Sequence, residues 1–121
     1  MQILVVEPEK RPYLKEIEGN LESMQAVVGG LIEPVYDGDC AIVVNEEGKI
    51  SNLPFNRALI EGKKIIDLLF GTLFVCGVGE ENFTDIPKDK IAHYEQKFGF
   101  LERMVRHNGE LYVYQTSFEE E

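Results

Sequence analysis

Hydrophobic positions along the chain follow two different periods. Gln2-Ile3-Leu4-Val5-Val6-Glu7-Pro8 is an apolar, β-branched run stopped by proline, which predicts a strand. Beyond the polar turn Glu9-Lys10-Arg11-Pro12, the segment Tyr13-Leu14-Lys15-Glu16-Ile17 predicts a second strand, so the chain opens on a β-hairpin. The period then lengthens, with Leu21, Met24, Val27 and Val28 on one helical stripe. Asn20 precedes that stripe as an N-cap and Gly29-Gly30 follows it as a stop. Ser23 stands where a capping box would have Glu.

Leu31-Ile32-Glu33-Pro34-Val35-Tyr36 reads as extended, and Asp37-Gly38-Asp39 as a turn. Cys40 to Val44 and Lys49 to Ser51 flank Asn45-Glu46-Glu47-Gly48, which predicts a hairpin. Leu53 to Leu59 predicts a loop followed by one helical turn. After a turn at Glu61-Gly62, Ile65 to Phe70 suits a short strand or a turn, and Gly71 to Gly77 a buried strand. Glu80 to Pro87 is loop-like, with a helix starting near Asp85 or Pro87. Ile91, Tyr94 and Phe98, with Pro87 one turn earlier, form a second amphipathic stripe ending at Gly99. Leu101 to Arg106 and Glu110 to Tyr114 bracket Asn108-Gly109, a strong hairpin signal. With about six to eight strands and two short amphipathic helices, this pattern predicts an α+β fold with a mainly antiparallel sheet built from hairpins. Residues 1–115 are expected to form a single domain and 116–121 an acidic C-terminal tail.

Composition narrows the functional classes. The chain has 121 residues, 22 acidic against 12 basic, for a net charge of −10. That balance repels phosphate backbones and argues against direct nucleic-acid binding. It suits plain solubility or an acidic face for a basic partner. Cys40 and Cys76 lie inside apolar runs, where a free thiol behaves as a small hydrophobe. With His93 and His107 they lack zinc-ligand spacing, so no metal is expected. No apolar run approaches a membrane span, and Gln2 to Val6 is too short for a signal peptide, so the expected location is the cytoplasm.

Enzyme signatures are sparse. Gly77-Val78-Gly79 is a lone Gly-x-Gly after a strand, and Asn82 stands where the next glycine would be required. Nucleophilic catalysis needs a base beside an activated thiol or hydroxyl, and nothing in the sequence places a cysteine beside a histidine. Glu46-Glu47 and Glu80-Glu81 fall in turns, where carboxylates are ordinarily solvated. Neither a catalytic residue nor a cofactor is expected. The segment Leu53-Pro54-Phe55-Asn56-Arg57-Ala58 carries more chemistry than any other. Arg57 offers a planar fork of donors for phosphate or carboxylate, Asn56 a donor and an acceptor, and Phe55 a stacking surface. Together they would suit a nucleotide-like ligand. Plainer roles fit as well: Asn56 as a helix cap and Arg57 in a local ion pair.

The chain resembles the family known as domain of unknown function 3846. The resemblance rests on Val5-Val6-Glu7-Pro8 with Lys15-Glu16-Ile17, on Met24 to Glu33, on Asn45-Glu46-Glu47-Gly48-Lys49, on Leu53 to Leu59, and on Ile66-Asp67 running into Gly71-Thr72-Leu73-Phe74-Val75-Cys76-Gly77. It extends over residues 1 to about 115. Leu68-Leu69-Phe70 stands where the family pattern has a smaller residue before Gly71. The resemblance implies a small protein of phages, plasmids or integrative elements of Gram-positive bacteria, with no established activity. It points to Asn56, Arg57, Asp67 and Thr72 as polar members of the family's motifs, which makes Phe55, Asn56, Arg57, Asp67 and Thr72 the candidate ligand-binding set.

The first functional expectation is therefore a non-enzymatic mobile-element accessory protein that binds a partner or small ligand, such as a counter-defence protein sequestering a nucleotide signal. The alternative is an acidic inhibitor docking on a basic, nucleic-acid-acting host enzyme. A cysteine-dependent enzyme is the disfavoured third. Expected partners are a host defence protein or a nucleotide-like molecule, and the need to manage sheet edges makes a homo-oligomer plausible.

Overall fold

The computed structural model describes residues 1–118. Ten strands and two helices follow one another among them: β1 (Gln2–Val6), β2 (Tyr13–Glu16), α1 (Leu21–Val28), β3 (Ile32–Asp37), β4 (Cys40–Asn45), β5 (Phe55–Glu61), β6 (Lys64–Phe70), β7 (Leu73–Val78), β8 (Phe83–Thr84), α2 (Lys88–Lys97), β9 (Leu101–His107) and β10 (Glu110–Thr116). The fold is α+β with every sheet antiparallel, as the hydrophobic pattern predicts.

The main sheet runs β2-β1-β7-β4-β3, with the two-residue β8 attached to the far end of β7. Two separate ribbons, β5–β6 and β9–β10, complete the strands. Strand side chains alternate faces, so each apolar run feeds two cores. Leu4, Val6, Ile42, Val44, Leu73 and Val75 face one side, where Leu59 and Leu69 of β5–β6 and Tyr94 and Phe98 of α2 cover them. Ile3, Val5, Ala41, Val43, Phe74 and Cys76 face the other, covered by Met24 and Val28 of α1. Burial on both faces explains why these strands read as continuous hydrophobic runs instead of alternating ones.

Local signals place the helix ends. The Asn20 side chain accepts the Ser23 N–H at 2.9 Å, and Ser23 Oγ accepts the Gly19 N–H at 3.0 Å, a reciprocal cap made without a Glu. Gly29 ends α1 in the left-handed region at φ +78°, its N–H bonded to the Gln25 carbonyl. Pro87 precedes α2, and Phe98 closes it beside Gly99. The Asn108-Gly109 turn takes positive φ at both residues and joins β9 to β10 in full register.

Five expectations change. The described residues hold ten strands instead of about six to eight, because β5 and the two-residue β8 fall in segments that read as loops. Leu21 lies on the predicted stripe of α1 but is exposed, because only Met24, Val27 and Val28 meet the sheet. Lys49 to Ser51 forms no strand; residues 46–52 are consecutive turns held by Asn45, Glu47 and Gly48. Phe55 to Leu59 lies in a strand, not a loop and helical turn, because β6 supplies it with a pairing partner. The expected tail from residue 116 is only partly a tail, since Thr116 closes β10 and Phe118 packs over two arginines. Glu119 to Glu121 lie outside the described residues. No helix among the described residues is long and apolar enough to cross a membrane.

Candidate functional site

The polar groups that stand out in the sequence between residues 45 and 58 divide between two places. Asn56 and Arg57 enter the interior because β5 carries a bulge. Phe55 pairs with Phe70 and Arg57 with Leu69, which leaves Asn56 as the extra residue. The bulge breaks the two-residue alternation, so four successive side chains, Asn56 to Leu59, are buried.

Asn56 donates through Nδ2 to the carbonyls of Val6 and Gly71, both at 2.8 Å. It thereby ties the end of β1 to the turn before β7. Arg57 has no exposed surface. Its Nε and Nη2 donate to the Phe98 carbonyl at the end of α2, at 3.2 and 2.9 Å. Nη2 also donates to the Lys10 carbonyl at 2.8 Å, and Nη1 to both the backbone and side-chain oxygens of Asn56, at 3.2 and 2.7 Å. A guanidinium has five N–H groups, and these five bonds occupy them. The helix end contributes further, because carbonyls there carry the negative pole of the α2 dipole. Phe118 lies over the guanidinium, with its ring centre 5.6 Å from the Arg57 Cζ and 5.7 Å from the Arg11 Cζ.

Glu102 of β9 completes this node. It is buried, accepts the Ala58 N–H at 2.8 Å, and takes a weaker bond from Gln115 at 3.3 Å. Burial pushes its carboxyl above the usual carboxylate range, against the opposing pull of those hydrogen bonds and of Arg57. Burial likewise lowers the Arg57 pKa, with Glu102 opposing the shift. Asn56 and Arg57 therefore serve as internal stitching. Asn56 is no helix cap, and Arg57 reads backbone carbonyls instead of closing an ion pair.

The second place is a cleft of about 200 Å³ between β3–β4 and β6. Its floor is apolar, from Val44, Leu68, Leu69 and Phe70. Its rim carries Glu33, Glu46, Asp67 and Lys49. Lys49 Nζ meets Asp67 Oδ1 at 2.7 Å, and the same oxygen accepts the Leu68 N–H at 2.8 Å. The turns over residues 46–52 hold Lys49 in place. They begin where Asn45 Oδ1 accepts the Glu47 N–H at 2.8 Å, and Asn45 Nδ2 anchors that side chain to the Val28 carbonyl. Gly48 lies so close to β6 that a Cβ on it would meet the Phe70 carbonyl at 2.7 Å, so only glycine lets the turn seat here. A neighbouring hollow of about 290 Å³ extends along the same elements, lined by Val35, Leu59, Ile60, Ile66 and the cation Lys97. Together they form a trough with unusually exposed apolar side chains: Ile50 is 87% exposed and Ile66 57%.

Of the sequence-predicted set, Asp67 lies in this trough. Asn56 and Arg57 lie behind β5 in the node. Phe55 packs edge-on against Phe70, with ring centres 5.7 Å apart, and Thr72 is half-buried just after the Gly71 turn. The five do not converge. Sequence reasoning did not single out Glu33 or the pairing of Lys49 with Asp67, because partners 18 residues apart leave no local signal. Both cysteines are free and buried. Burial pushes the Cys76 thiol up to about 12 and raises Cys40, where nearby Asp39 adds to the shift and Tyr94 opposes it. The Tyr94 hydroxyl donates to Asp37 at 2.7 Å.

Residues 1–99 match the family model described as Domain of unknown function (DUF3846), and the chain belongs to that family. The match ends at α2, so the β9–β10 ribbon lies beyond it, although the resemblance read from the sequence extends to about residue 115. No curated protein and no solved structure matches the chain.

Proposed function

We propose that this member of a family without an assigned activity is a non-enzymatic accessory protein that docks a basic protein partner in the trough between the main sheet and β5–β6. One observation carries the reading: exposed Ile50 and Ile66 stand beside the carboxylates Glu33, Glu46 and Asp67, with Lys49 among them and Lys97 at the neighbouring hollow. An apolar patch inside an acidic rim favours a surface that is apolar and basic. The net charge of −10 would speed the encounter by long-range steering. Free thiols at Cys40 and Cys76 suit a reducing compartment such as the cytoplasm of a bacterial host. The mobile-element setting implied by the resemblance makes a basic, nucleic-acid-acting host enzyme the natural target, in a counter-defence role. Sequestration of a nucleotide through Phe55, Asn56 and Arg57 has less support, because the Arg57 donors are engaged with the protein itself.

Affinity capture from host extract at low and high salt, with wild type and a Glu33→Lys/Asp67→Lys variant, tests this reading. The expected result is a basic protein retained by wild type at low salt, released at high salt and lost by at least about tenfold in the variant. Retention of the same proteins by both chains at both salt concentrations would sink it.

A further inference from the structure

The sheet edges are unequally protected. On β2, the outer strand of the main sheet, Lys15 and Glu16 put charges side by side. β3, at the opposite edge, has Pro34 in its middle and Glu33 and Asp37 around it. β6 has Asp67 at its centre. Proline and charge on an edge strand discourage further pairing. β10, Glu-Leu-Tyr-Val-Tyr-Gln-Thr, has neither proline, glycine nor bulge, and its single charge sits at its first residue. Among the described residues β10 pairs only with β9, so its other edge is open.

Hairpin geometry determines what that edge offers. In a two-residue hairpin the residues flanking the turn, here His107 and Glu110, form a hydrogen-bonded pair, and bonded pairs then alternate along the ladder. Tyr112 and Tyr114 thus spend their backbone groups on β9, while Leu111, Val113 and Gln115 point their N–H and C=O groups outward. These three positions are symmetric about Val113. Antiparallel pairing with an identical strand, centred on Val113, sets Val113 against Val113, Leu111 against Gln115 and Tyr112 against Tyr114. All outward backbone groups then pair in about six hydrogen bonds. Glu110 falls opposite the neutral Thr116, and the two Glu110 side chains end up about 20 Å apart, so no like charges oppose. Tyr112 and Tyr114 are both well exposed on one face of the ribbon, and in this register they form two cross-strand aromatic pairs.

We infer that β10 pairs with β10 of a second copy about a two-fold axis, joining two β9–β10 ribbons into one four-stranded sheet. The occupant is a second copy because the strand is complementary to itself in backbone phase, side-chain size and charge. The interface uses residues beyond the family-matched stretch and lies on a different element from the trough, so its fate is independent of the partner-docking reading.

Sedimentation equilibrium at about 100 μM protein tests it, well above the dissociation constant of about 1–10 μM that a small interface supports. Wild type is expected at twice the 13.8 kDa of one chain. Val113→Pro removes one outward donor without touching the β9 ladder, and Tyr112→Lys/Tyr114→Lys sets like charges opposite each other. Both are expected to sediment mainly as monomers, with dissociation constants raised to about 1 mM or above. The Leu111, Val113 and Gln115 amides of wild type are expected to exchange with deuterium more slowly as concentration rises. A wild-type monomer at this concentration overturns the inference, as does a double-lysine variant that remains dimeric. Should Val113→Pro lose its circular-dichroism signature, the double-lysine variant and the concentration dependence of exchange still decide it.

Discussion

Two polar clusters drawn from one stretch of sequence meet opposite fates. The Asn56–Arg57 node is buried and its donors are fully paired, whereas the Lys49–Asp67 cleft is half-exposed and its carboxylates Glu33 and Glu46 face an open rim. An arginine has value to a ligand only through donors the protein has not already used. At the node the guanidinium replaces water for three backbone carbonyls from three elements, so its energy goes into the fold. At the cleft the charges keep their water, contribute little to the fold and stay free to recognise something else.

The largest break in this contrast comes from Arg57→Met. It keeps most of the volume but strands the Phe98 and Lys10 carbonyls, and equilibrium urea unfolding is expected to show a loss of about 3–5 kcal/mol. That is a large share of the stability of a small domain. A loss below about 1 kcal/mol would show that the node is not the stitch described here.

Glu102 gives an intermediate effect that depends on pH. Its folded-state pKa lies above the unfolded value, so the folded protein holds the proton more tightly than the unfolded chain does. The stability tied to that proton is fully present below the ordinary carboxylate range and is lost as pH rises through the raised value. Other carboxylates titrate equally in wild type and in Glu102→Gln, so the difference between the two isolates this group. Wild type is expected to gain on the variant when unfolding is measured at about pH 5 instead of about pH 7. A difference that does not change between the two would remove the burial argument.

Lys49→Ala should barely affect the fold. The pair it breaks is solvated, and a stability change within about 0.5 kcal/mol is expected from thermal unfolding. It also removes the cation from among the rim carboxylates. A basic partner of the trough is expected to bind about two- to fivefold more tightly, measured by titration calorimetry at low salt. Weaker binding would mean that Lys49 itself contacts the partner.

The parts of this fold that sequence showed are those determined within a few residues. The Asn20 cap, the Gly29 stop, the Asn108-Gly109 turn and the apolar β1 and β7 all depend on neighbours in the chain. β5 was hidden because Pro54, Asn56 and Arg57 interrupt any strand pattern, and their polar groups become acceptable only once α2, the β1–β2 turn and β7 arrive. The same dependence concealed the site. Arg57 suited a ligand fork or a local ion pair because two of its three acceptor residues, Phe98 and Lys10, lie 41 and 47 residues away. Asp67 was visible as a motif residue, but Glu33 and Lys49 join it only through the packing of β3 and β6 around the Gly48 turn.

Phe118 has a consequence for the order of events during folding. Its carbonyl accepts from Arg11, 107 residues earlier in the chain, and its ring lies over Arg57. The first hairpin can form early from local contacts, but the Lys10 carbonyl at its turn has to wait for Arg57, Arg57 for Phe98, and the surface over both for Phe118. Contacts of such long sequence separation are slow to close. The node is thus a late checkpoint: its full cohesion waits until Arg11 and Phe118, 107 residues apart, have found each other.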